Sequence, residues 1–101
     1  MHENTCTRTA VVSNPKGLHM RPALLVVQLA AKFQSQVEIT KDRLKVDARS
    51  VLDVMTLAAT NGSSLVITAR GSDAQAAVDA LAQFLETDTS DDSDPHPYDA
   101  H

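Results

Sequence analysis

The sequence predicts an α+β fold of two layers: a four-stranded antiparallel sheet with three helices on one face. Three observations predict it. Apolar periodicity switches between two and 3.6 in the order strand, helix, strand, strand, helix, strand, helix, or β-α-β-β-α-β-α. The strands are short and the helices run to one to three turns. The chain has 101 residues, which allows one domain with a modest core and argues against two.

Each element has its own signal. Thr7–Ser13 is rich in Thr and Val and reads as a strand. Asn14-Pro15-Lys16-Gly17 reads as a loop, because Pro and Gly both break regular structure. Pro22 then opens a helical pattern, with Leu25, Leu29 and Phe33 on one face and Gln28 and Lys32 on another. Val37–Thr40 alternates apolar and polar residues, Lys41-Asp42 reads as a tight turn, and Arg43–Asp47 alternates again. The two segments therefore predict an antiparallel hairpin. Ser50 precedes the apolar residues Val51, Leu52, Val54, Met55, Leu57 and Ala58, so it is a candidate N-cap, with Asp53 as the partner of a capping-box variant. Asn61-Gly62 reads as the end of that short helix. Leu65-Val66-Ile67-Thr68-Ala69 reads as a strand. Gly71-Ser72-Asp73 leads into a last helix with Val78, Leu81 and Leu85 on one face, capped by Ser72 or Asp73.

Composition removes several function classes. There is no Trp, one Tyr and two Phe, so a base-stacking nucleic-acid platform lacks its rings. One cysteine excludes an internal disulfide framework. No apolar run reaches the ~18 residues of a membrane span, and no secretory signal stands at the N-terminus. A cytoplasmic protein with no nucleic-acid or membrane partner is the expectation. The net charge of −4 divides unevenly. Residues 87–101 hold five Asp and no Lys or Arg, leaving eight acids against nine bases, +1, in the rest. Residues 1–86 are expected to fold, and 87–101 to form a disordered acidic tail. Cys6 is expected near a mobile terminus and pairs poorly with His2 as a metal site. His96 and His101 lie in the tail. No metal or cofactor is assigned.

The chemistry concentrates at Gly17-Leu18-His19-Met20-Arg21-Pro22-Ala23. Pro22 fits a helix's first turn, which puts His19 and Arg21 at the helix N-terminus. Amides without helical acceptors and the positive end of the dipole make an anion site there. Arg21 adds a planar fork suited to phosphate, and Lys16 adds charge. A positive potential favours neutral imidazole, which is a nucleophile. A nucleophile at an anion cradle suits phosphoryl transfer through histidine. On this reasoning Gly17 frees the chain to place the ring and lets a partner approach. The residues alone leave a plainer alternative equally open: a helix-entry histidine that packs or hydrogen-bonds locally.

The stretch from Gly17 to Ala23 resembles the active-site signature of the HPr phosphocarrier family of the phosphoenolpyruvate-dependent phosphotransferase system. Asp47–Leu57 resembles that family's second signature, around a regulatory serine. The likeness spans about residues 5–86 and implies an open-faced two-layer sandwich. It implies that His19 accepts a phosphoryl group on Nδ1 from phosphorylated enzyme I, held by Arg21. The group then passes to a downstream acceptor such as an EIIA-type domain, so the protein is a carrier rather than an enzyme. Met20 stands where the family often has a small or hydroxyl residue, and Lys16 where it often has Ser or Asn.

Ser50 is first an N-cap, and the resemblance adds a second role as the target of an ATP-dependent HPr kinase/phosphorylase. A phosphate there would suit the helix dipole and place about two negative charges beside an apolar surface. Arg49 beside it is read as an aid to kinase or phosphate. Met20, Leu24, Val51, Leu52 and Met55 form the candidate docking surface, methionine suiting several partners. Core and surface readings of Leu24 and Leu52 both stand at this point. Serving large partners in turn favours a monomer. A mainly regulatory module acting through Ser50 is the alternative function.

Overall fold

The computed structural model describes residues 4–87. His2 and nearly all of the acidic segment 87–101 lie outside the described residues. The elements are β1 (Thr5–Val11), α1 (Met20–Ala30), β2 (Gln36–Lys41), β3 (Leu44–Asp47), α2 (Val51–Thr56), β4 (Ser64–Arg70) and α3 (Ala74–Glu86). The β-α-β-β-α-β-α order is as read from the sequence.

The four strands form one sheet in the order β1-β4-β2-β3, with every pair antiparallel. β4 and β2 are central, which accounts for their apolar content. Alternation sends Leu65, Ile67 and Ala69 of β4, Val37 and Ile39 of β2, and Val46 of β3 into the core. Thr7, Thr9, Thr68 and Glu38 fall on the opposite, polar face, where Glu38 lies 3.7 Å from Arg70 and 3.9 Å from Lys45. The hairpin turn is one residue later than the sequence suggests: Lys41 pairs with Leu44, and Asp42 and Arg43 make the turn. Asp42 takes φ +56°, a left-handed conformation that Asp tolerates.

α3 packs across β1, β4 and β2, burying Ala74, Ala77, Val78, Leu81, Ala82 and Leu85. The predicted face of α3 is present, widened by small residues that let helix and sheet approach. In α1 the buried face differs from the one predicted. Pro22, Ala23, Val26 and Ala30 face inward, Leu25 is exposed, and Leu29 and Phe33 only flank the core. Large side chains recur at four-residue spacing, but the small residues Ala23 and Ala30 take the inward positions. Cys6 also departs from expectation: it lies in β1, half-buried against the core.

Candidate functional site

The site is assembled from two loops that zip together. In the first, the Gly17 amide donates to the Asn14 carbonyl (2.8 Å) and the Lys16 amide to Asn14 Oδ1 (2.9 Å). Asn14 is buried, and Pro15 at the second position suits this turn. In the second loop the Thr60 amide donates to Ser63 Oγ (2.9 Å). Between them, the Val12 amide donates to the Ser63 carbonyl (2.9 Å) and the Gly62 amide to the Val12 carbonyl (2.8 Å). The Leu18 amide donates to the Ala59 carbonyl (2.9 Å).

Gly17 sits at the tightest point of the zipper. Its φ is +71°, and a Cβ there would lie 2.3 Å from the Ala59 oxygen and 2.9 Å from Thr60 Cα. This corrects the sequence reading in part. The left-handed backbone is real, but the missing side chain admits the protein's own backbone rather than a partner.

His19 follows as the N-cap of α1, with extended backbone angles and no side-chain capping bond. Its carbonyl accepts the first helical bond, from the Ala23 amide (3.0 Å). The residue is exposed. Arg21 is half-buried at the second helical residue, and Pro22, third, needs no hydrogen-bond acceptor for its nitrogen. Lys16 is exposed on the loop.

Ser50 caps α2 as predicted: its Oγ accepts the Asp53 amide at 3.3 Å. Ser50's own amide donates to the Asp47 carbonyl (3.1 Å), so that amide is satisfied from the backbone. Arg49 is exposed. Its guanidinium donates to the carbonyls of Phe33 (2.5 Å) and Ser35 (3.3 Å), clamping the turn after α1. The same turn is held from the other side by Asp73, whose carboxylate accepts the Gln34 and Ser35 amides (2.9 Å each) and the Ser35 hydroxyl. These bonds, the Ser35 hydroxyl first, lower the Asp73 pKa. Asp73 is the positional N-cap of α3, yet its side chain makes no capping bond.

α1 and α2 lie side by side. On their outer surfaces Leu52 is 73% exposed, Met20 57% and Leu24 43%. Val51 and Met55 are half-buried, and Met55 packs against the core. Both open assignments thus resolve to the surface, and Val54 is the core residue of α2. The sequence marks Asn14 as part of a loop but does not show its buried turn role, and it gives Ala58 and Ala59 no role at the site. Asn14 before Pro was a readable turn signal, whereas the alanines carried none.

The family model described as the PTS HPr component phosphorylation site matches residues 6–87. The chain belongs to the HPr family. It is 44% identical to the HPr-like protein Crh of Halalkalibacterium halodurans over 70 residues, 69% of this chain and 83% of that protein. The crystal structure of the phosphocarrier HPr from Bacillus anthracis matches with a TM-score of 0.78 at 41% identity, covering 80% of this chain and 96% of that one. An HPr dimer from Thermoanaerobacter tengcongensis matches with a TM-score of 0.64 at 41% identity, covering 74% and 86%. HPr proteins are phosphocarriers of the phosphotransferase system, and among the described residues no helix is long and apolar enough to cross a membrane.

Proposed function

We propose that this HPr-family chain carries a phosphoryl group on His19. The Nδ1 lone pair attacks phosphorus as the bond to phosphorylated enzyme I breaks, and the reverse step delivers the group to an EIIA-type acceptor. The observation that carries the reading is an exposed imidazole at the N-cap of α1 that spends no bond on capping. First-turn amides and the helix dipole favour the phosphoryl oxygens, and Arg21 supplies a planar fork for them. The partners dock on Met20, Leu24 and Leu52, with Val51 and Met55 beneath. The chain works as a cytoplasmic monomer, since each partner must reach the same histidine; light scattering that finds a stable dimer with His19 covered would overturn this.

Mixing the protein with enzyme I and labelled phosphoenolpyruvate tests the carrier role. Wild type should acquire an acid-labile, base-stable phosphate and His19→Ala none. A second reading, regulation through Ser50 by an ATP-dependent kinase, draws on the likeness to an HPr-like protein, Crh. It also draws on a hydroxyl at the N-cap of α2 beside the apolar patch. If a kinase modifies Ser50 while enzyme I leaves wild type unlabelled, the regulatory reading replaces the carrier one.

A further inference from the structure

We propose that Ala58 and Ala59 are positioning residues for phosphoryl transfer: a left-handed turn at Ala58 presents the Ala59 carbonyl that holds the backbone in front of His19. This rests on the carrier reading of His19 given above.

The sequence pattern would let α2 run on to Asn61-Gly62, yet it stops at Thr56. Its last turn tightens, with the Leu57 amide donating to the Val54 carbonyl (3.2 Å) and the Ala58 amide to the Met55 carbonyl (3.0 Å). Ala58 then takes φ +50°, a conformation open to Gly that L-residues other than Asn and Asp avoid. Buried neighbours on both sides, Leu57 and Ala59, hold it there. In a continuing helix the Ala59 carbonyl would face the amide four residues on. The turn releases it, and it accepts the Leu18 amide at 2.9 Å and seats against Gly17.

Leu18 directly precedes His19, and the His19 carbonyl is itself bonded to the Ala23 amide. The peptide carrying the imidazole is therefore fixed on both sides, one anchor coming from α1 and the other from the turn after α2. In-line transfer depends on such placement, and small misplacements cost rate rather than affinity. The alanine at 58 thus acts through Ala59 and Leu18, without touching the phosphoryl group.

Ala58→Val tests this, because a β-branched residue resists the left-handed region, while Ala58→Gly and Ala58→Asn accept it. Ala58→Val should raise Leu18 amide exchange about tenfold, with Ile39 exchange unchanged, and shift the His19 ring resonances. The turnover of phosphoryl acceptance should fall about tenfold or more with KM for phosphorylated enzyme I nearly constant. The Gly and Asn variants should retain wild-type rate and protection. Gly17→Ala, which drives a methyl at the same carbonyl, gives an independent reading should Ala58→Val not fold. Normal transfer with a released Leu18 amide, or unchanged Leu18 exchange in both Ala58→Val and Gly17→Ala, overturns the positioning role alone. A wild-type chain that takes no phosphate overturns instead the carrier reading beneath it.

Discussion

Arg49 stands just before the N-cap of α2, and its bonds predict a structural consequence for its loss. Arg49 spends its guanidinium on the Phe33 and Ser35 carbonyls. Arg49→Ala should therefore lower stability by about 1–2 kcal/mol in urea unfolding, with a smaller effect on transfer. Arg21→Ala should slow phosphoryl transfer from phosphorylated enzyme I at least about tenfold, as expected for removing a preorganised donor at developing charge. Ser50→Ala removes the α2 cap and should cost about 1 kcal/mol. Asp73 adds a pH dependence. Its carboxylate is held below the ordinary value of 3.8 by the Ser35 hydroxyl and two amides. A depressed folded-state pKa gives stability that is present above 3.8 and lost as pH falls through the folded value. The stability gap between wild type and Asp73→Asn should therefore shrink on acidification below about pH 4. A gap that stays constant down to pH 2 would show that the charge is irrelevant.

The elements were legible where one residue class sufficed. Val and Ile at alternating positions placed β2, β3 and β4 within a residue or so, because a strand's core face follows directly from the pleat. α3 was legible for the same reason at helical spacing. α1 and α2 were read less well, for physical reasons that a hydropathy pattern does not carry. The inward face of α1 is Ala23, Val26 and Ala30, chosen by the space available, and that space is a property of the packed neighbours. α2 ends on a left-handed alanine, which no propensity scale favours. Likewise Gly17 announced a special backbone, but only the fold reveals that the Ala59 carbonyl occupies the vacancy. The outer face of α2 carries its own prediction. Leu52 is largely solvent-exposed, so Leu52→Asp should leave the unfolding midpoint within a few degrees. It should raise KM for phosphorylated enzyme I, and an unchanged KM would remove Leu52 from the docking surface.

At the scale of the molecule, the candidate site sits on one edge of a simple architecture. Helices cover one face of the sheet, the other face is polar, and His19 stands where the β1–α1 loop meets the loop leaving α2. On the proposed carrier reading the substrates are other proteins, which calls for no enclosed pocket, only a rigid point of presentation and an apolar rim. The acidity of the chain belongs to a segment beyond α3: the net charge of −4 becomes +1 without the five Asp of residues 88–101. We propose that the folded unit ends with α3. A chain ending at Thr87 should then keep its unfolding midpoint within a few degrees, and a large loss would assign the segment a structural part. The carrier reading turns on the identity of the phosphorylated atom. Phosphorus–nitrogen NMR on the chain labelled through enzyme I tests it most directly. One phosphate per chain is expected, bonded to His19 Nδ1 and absent from His19→Ala. A phosphate on another residue, or one that persists in His19→Ala, would contradict it.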